Sequence, residues 1–137
     1  MKTFFDSSAF AKRYIEEKGS GRVEQLCDEA TALALSVICV PEIVSALNRR
    51  VREGSLSRIQ YREAKACLAA EVADATIVNL VPSVVADAIS ILETNAVRAM
   101  DALHLACALQ WNAELFVSSD ERQLSAARKA KLRTKKV

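Results

Sequence analysis

Apolar positions along the chain fall into short runs separated by longer stretches with helical spacing. Thr3-Phe4-Phe5 is a brief β-prone run that ends at Asp6. Ser7-Ser8 supplies an N-cap signal ahead of Ala9-Phe10-Ala11-Lys12-Arg13-Tyr14-Ile15, and Gly19 with Gly21 closes that helix. Val23, Leu26 and Cys27 then recur at helical spacing. Leu33 to Val40 is apolar, β-branched toward its end and stopped by Pro41, which predicts a buried strand. Pro41 suits the first position of a helix, where no N–H is needed; that helix runs through Ile43, Ala46, Leu47 and Val51 to Gly54. Ser57 opens a long helix through Ile59, Tyr61, Ala64, Leu68 and Val72. Ile77 to Val81 predicts a strand, Pro82-Ser83 opens a helix through Val84, Ala88, Ile91 and Leu92, and another helix spans Ala99 to Trp111. Leu115-Phe116-Val117 predicts a late strand that runs into Ser118-Ser119-Asp120, and Gln123 to Lys131 a last helix.

Strands that alternate with helices predict the α/β class, with a mostly parallel central sheet flanked by helices on both faces. No repeat, linker or low-complexity tract interrupts the pattern, so residues 1–137 are expected to form a single domain. Hydrophobic residues make up 51% of the chain, with only three Gly and two Pro, which excludes a disordered or collagen-like polypeptide. The longest stretches without a formal charge, 30–41, 75–86 and 102–113, are 12 residues each. A membrane-spanning helix needs about 18 or more apolar residues, and the run before Asp6 is too short for a secretory signal. Cys27, Cys39, Cys67 and Cys107 form neither a Cys-x-x-Cys pair nor a cluster with the only histidine. Free thiols without a leader predict a cytoplasmic protein.

The charge is unevenly distributed. Residues 1–121 carry 12 basic and 17 acidic side chains, whereas 122–137 carry seven basic and none acidic. That basic end is either a polyanion contact or the solvated end of a last helix with a frayed tail. The acids are more informative. Asp6 closes the first strand, Asp120 closes a late one, Glu42 sits in the first turn after Pro41, and Asp101 lies in the first turn of an otherwise apolar helix. Singly, each has an ordinary explanation as a helix cap or as a charge facing a helix dipole. Together, four carboxylates at the mouths of elements repel one another unless a cation sits among them. An all-oxygen set without His or Cys favours a hard ion, Mg²⁺ or Mn²⁺, and such sites serve phosphodiester hydrolysis. His104, three residues after Asp101, projects near the same face; a lone histidine in an apolar helix is more often a packed residue than a ligand partner. The Ser118 hydroxyl is positioned either to hold water or phosphate oxygen, as a minor participant, or to cap the following helix.

These residues resemble a known family. Phe5-Asp6-Ser7-Ser8-Ala9, Pro41-Glu42-Ile43 with Ala46-Leu47 and Arg50, Arg98-Ala99-Met100-Asp101-Ala102-Leu103-His104-Leu105-Ala106 and Phe116-Val117-Ser118-Ser119-Asp120 are similar to the PIN domain, specifically to VapC-type toxins of toxin–antitoxin pairs. The resemblance runs from Phe4 to about Leu132. It implies a PIN-like three-layer sandwich and a Mg²⁺-dependent endoribonuclease, with Mn²⁺ as a possible substitute, that is usually a homodimer and is silenced by a cognate antitoxin. By position, Asp6 and Asp101 become the principal metal ligands, with Glu42 and Asp120 completing the acidic pocket around water or a second ion. Two positions depart from the pattern: Ser118 stands where the family commonly has Thr, and Lys131 where it often has Gly.

An acidic pocket repels RNA, so basic side chains must supply phosphate contacts; Arg49, Arg50 and Arg52 and the basic end are the candidates. Val51, Leu56, Ile59 and Leu68 offer apolar surface either to a partner or to the chain's own core. The alternative function is a PIN-like module that binds metal, RNA or a partner without cutting. A phospho-acceptor receiver domain is disfavoured, because Asp6 lacks an acidic neighbour and no Lys follows Asp120 until Lys129.

Overall fold

The computed structural model describes residues 1–137. Five strands, β1 (Lys2–Phe5), β2 (Ala32–Ser36), β3 (Thr76–Val78), β4 (Leu115–Ser118) and β5 (Arg133–Lys136), form one sheet in the order β3-β2-β1-β4-β5. Every pairing is parallel. The chain builds outward from β1 through β2 to β3, then returns to the other side of β1 with β4 and β5. The reversal therefore falls between β1 and β4, the place where open α/β sheets leave a crevice at the strands' carboxyl ends.

Seven helices cover the sheet: α1 (Ser7–Phe10), α2 (Ser20–Glu29), α3 (Cys39–Arg52), α4 (Arg58–Ala73), α5 (Pro82–Thr94), α6 (Ala99–Gln110) and α7 (Glu121–Lys129). Alternation along the strands divides the core into two layers. Phe4, Ala34 and Phe116, paired in register, face α5, α6 and α7, where they pack with Val84, Ala88, Leu105 and Leu124. Phe5, Leu35 and Val117 face the opposite side and pack with Phe10, Val23, Ile43, Leu47 and Leu68 of α1–α4. The result is a three-layer sandwich. Because both faces are covered, the inner strands β2 and β4 read as near-continuous apolar runs, as buried parallel strands do.

The structure alters several expectations. The first helix is shorter than predicted and is capped by Asp6, whose carboxylate accepts the Ala9 N–H, rather than by serine; a 3-10 turn, Ala11–Arg13, follows it. The strand predicted through Val40 stops at Ser36, and α3 already starts at Cys39, so Pro41 is the third helical residue. Its missing N–H is still free of cost there, because the first four helical N–H groups have no intrahelical partner. Ser57 caps α4 as expected, in a reciprocal arrangement with Gln60. Of the apolar positions around α4, Leu68 joins the core while Ile59 stays exposed. The tail is not frayed: residues 133–136 form the edge strand β5, with Lys136 level with Ser118. A polar run of Arg, Thr and Lys carries no strand signal, and its pairing is supplied by the adjacent β4. No helix is long and apolar enough to cross a membrane.

Lys131 takes a left-handed backbone, φ 69°, where α7 ends. Its N–H bonds to the Arg128 carbonyl, and the Leu132 N–H to that of Ala127, a Schellman termination whose pivotal position usually belongs to glycine. Lys131→Gly is expected to raise stability by about 1 kcal/mol, read from chemical unfolding. Burial pushes the Cys39 thiol up to about 12 and the half-buried Cys27 to about 11, whereas Cys67 is exposed. A thiol reagent at neutral pH should modify Cys67 first and reach Cys39 and Cys107 only on unfolding, as mass spectrometry would show.

Candidate active site

Asp6 begins where β1 ends, at the reversal of strand order. Its N–H donates to the Val117 carbonyl of β4 at 3.1 Å, which locks the two strand ends together. The side chain is 3% exposed. Its Oδ1 accepts the Ala9 N–H at 2.9 Å, the Ser8 hydroxyl lies 2.8 Å from both carboxylate oxygens, and the Ser118 hydroxyl lies 3.1 Å from Oδ2. Asp6 forms no salt bridge. Burial raises its carboxyl above the usual range, against the opposing effects of the His104 ring and of the bonds from Ala9, Ser8 and Ser118. Asp6 is thus a buried carboxyl group held by hydrogen bonds and without a lysine or arginine partner.

Ser118 is fully buried. Its proton is shared between Asp6 Oδ2 and Gln123 Oε1, the latter at 2.7 Å, and its oxygen accepts the Asp120 N–H at 3.0 Å. Those bonds use up the hydroxyl, so Ser118 braces the site rather than opening onto it. Gln123, also fully buried, carries the network onward by donating to the Asp101 carbonyl at 3.1 Å. Asp120 caps α7 by accepting the Arg122 N–H at 2.9 Å. Asp101 lies in the first turn of α6, with Oδ2 near the Arg98 N–H. Burial and the negative charge of Asp120 raise the Asp101 carboxyl, against the Arg98 N–H, the Arg98 charge and the His104 ring. Asp101 and Asp120 line one cleft of about 450 Å³, flanked by Arg98 and Arg122.

Glu42 stands across the site in the first turn of α3. Its Oε1 accepts the Ser7 hydroxyl at 2.7 Å and faces His104 Nε2 at 2.5 Å, and Ser7 Oγ is 3.0 Å from that nitrogen. Burial pushes the Glu42 carboxyl up, but the bonds and charge of His104 and the Ser7 bond outweigh it, and the net shift is downward. His104 is thus a packed residue, 2% exposed, and at the same time the group that orients Glu42; its Nδ1 is buried without a partner.

The four acids are brought to one end of the sheet but not into a closed cage. No three His, Cys, Asp or Glu side chains are gathered tightly enough to hold an ion by themselves. The helix-cap explanation also holds for Asp6 and Asp120, so capping and clustering coexist in the same side chains. Ser7, Ser8 and Gln123 escaped sequence reasoning as members of this network. Two serines after a strand-ending Asp look like cap residues, and a glutamine on the inner face of α7 gives no periodic signal.

The model of the PIN domain family matches residues 3–129. The chain belongs to the PIN-domain family. A relative, Ribonuclease VapC45 of Mycobacterium tuberculosis, is 32% identical over 106 residues, which is 77% of this chain and 74% of the relative. Among solved structures, this PIN domain is similar to Mycobacterium tuberculosis VapC20, a toxin that cleaves the sarcin-ricin loop, with TM-score 0.71 and 16% identity over 90% of this chain and 94% of the other. It is also similar to a chain of a toxin–antitoxin complex from Klebsiella pneumoniae, with TM-score 0.68 and 12% identity over 90% of each. At those identities the structural matches establish the fold, a five-stranded all-parallel sheet between helical layers.

Removing the buried Ser118 hydroxyl leaves the Asp120 N–H and the Gln123 amide short of a partner. Ser118→Ala is expected to lower stability by about 1–3 kcal/mol in denaturant unfolding.

Proposed function

We propose that this PIN domain is a metal-dependent endoribonuclease, the toxin of a toxin–antitoxin pair, and that residues 1–137 act as one unit. The observation that carries the reading is Asp6: a carboxylate buried at the strand-order reversal, pinned by three donors and given no salt-bridge partner. The family match and the 32% identical ribonuclease relative support the same reaction class. An oxygen-only donor set suits a hard divalent ion, Mg²⁺ with Mn²⁺ as substitute. Mg²⁺ is commonly held by only one or two carboxylates together with water, a mode that would suit acids that do not form a closed cage.

Asp6 and Asp101 would be the principal ligands, with Glu42 and Asp120 holding water or a second ion. When bound, the metal supplies a water of lowered pKa and a counter-charge for the scissile phosphate. The chain's own residues do the positioning. Ala9 N–H, Ser8 and Ser118 fix the direction of the Asp6 carboxylate, while Ser7 and His104 turn Glu42 toward the site. Hydrogen-bonded ligands of this kind lose little freedom when they engage an ion. Regulation by a cognate antitoxin, action as a homodimer and residence in the cytoplasm belong to the same proposal, in keeping with the likeness to a toxin–antitoxin complex.

The test is cleavage of total cellular RNA by the purified protein with Mg²⁺, with Mn²⁺ and with EDTA. Discrete cuts that need metal, and that fall by at least about 100-fold in Asp6→Asn and Asp101→Asn, are expected. His104→Ala should lose about 10–100-fold through misplacement of Glu42. A folded, antitoxin-free protein that shifts its melting temperature with Mn²⁺ yet cuts no RNA would replace this reading with a non-catalytic binding module.

A further inference from the structure

A polyanion must approach four carboxylates, so the protein has to offset that repulsion beside the site. Two clefts meet there. The one holding Asp101 and Asp120 is edged by Arg98 and Arg122; a second, of about 330 Å³, shares Arg122 and Ala96 with it and continues past Ser125 to Arg128 and Lys129, with Glu121, which is paired to Arg128, on its wall. The cations along this path differ in how free they are. Arg122 and Lys129 are exposed and have no acidic partner. The Arg98 side chain is 90% exposed, with only a 3.8 Å contact to Asp101. Arg128, by contrast, is held by Glu121 at 2.6 Å, and Lys136 shares that carboxylate at 3.6 Å. Arg122 and Lys129 are two helical turns apart on α7, about 10 Å.

The other arginine group lies elsewhere. Arg50 faces Glu17 at 3.8 Å and lines a separate groove whose walls include Glu16, Glu63 and Glu71, so its charge is largely balanced. Arg49 and Arg52 are exposed near the far end of α3, two or more turns from Glu42.

We propose that Arg98, Arg122 and Lys129 form a phosphate track which receives the backbone of a single-stranded RNA and leads it along α7 into the acidic mouth. The inference rests on the nuclease reading and adds the route and the phosphate contacts of its substrate. Guanidinium groups suit the role because they stay charged beside the acids and can present two N–H groups to one phosphate. The occupant is RNA rather than an acidic peptide because the track opens directly into the carboxylate cluster, where a phosphodiester has chemistry to undergo and a carboxylate side chain meets only repulsion.

The test uses the full chain carrying Asp6→Asn and a fluorescein-labelled single-stranded RNA 20-mer of mixed sequence, with affinity read by anisotropy across a salt titration. Adding Arg98→Ala, Arg122→Ala and Lys129→Ala should weaken binding at least tenfold. It should also reduce the slope of log K against log salt by about 2, given roughly 0.7 per phosphate contact on a single strand. Arg49→Ala with Arg52→Ala should change affinity less than twofold. Arg49, Arg52, Arg98, Arg122 and Lys129 are exposed, and circular dichroism of every variant, the buried Asp6→Asn included, would show a lost fold separately. An unchanged slope in the track variant, or an equal loss in the Arg49/Arg52 variant, overturns the track, as does binding of labelled poly-glutamate by a chain that does not bind the RNA. Cleavage by the chain with Asp6 intact separates the two proposals: cutting with an unaltered track-variant KM defeats the track alone, whereas no cutting with a reduced salt slope defeats the nuclease reading alone.

Discussion

The burial of the Asp6 carboxylate governs the rest of this molecule. A charge removed from water at the centre of a parallel sheet is costly unless hydrogen bonds and a counter-ion offset it. The protein supplies the hydrogen bonds from three places: the first turn of α1, the Ser8 hydroxyl and the Ser118 hydroxyl of the neighbouring strand. It withholds a lysine or arginine. Each donor depends on a larger feature of the fold. Ala9 presents its N–H only because α1 begins immediately after β1, and Ser118 reaches Asp6 only because β1 and β4 are parallel neighbours in register.

From that point the network spreads to elements far apart in sequence. Ser118 connects Asp6 to Gln123 and to the Asp120 backbone, and Gln123 connects α7 to the start of α6, which carries Asp101. On the other side, Ser7 and His104 join α1, α6 and α3 at Glu42. The buried serine, glutamine and histidine therefore share one physical task, to hold the carboxyl-bearing segments in place by hydrogen bonds. His104 Nδ1 and Ser119 Oγ are buried without a protein partner beside this network.

The basic residues complete the electrostatic design by their placement. Seven follow Glu121 in sequence, but the fold divides them. Arg128 and Lys136 pair with Glu121, while Arg122 and Lys129 line the neighbouring cleft without an acidic partner. A linear charge count cannot make that distinction, because whether a cation is free depends on which acid the folded chain brings beside it.

Much was already determined by local sequence. Apolar runs and helical spacing specify β1, α4, α5, α6 and β4, since burial period and capping act within a few residues. The acids at Asp6, Glu42, Asp101 and Asp120 were legible because each sits at an element boundary whose signal is local. The tertiary structure decided what local signals do not encode. It set the all-parallel order with β1 in the middle, and it made an edge strand from Arg133–Lys136 because β4 offers that run unpaired backbone groups. It also turned a packed histidine and an unremarked glutamine into braces for the acids. Hydrogen-bond partnership across tens of residues is a property of distance in space, and only folding supplies that distance.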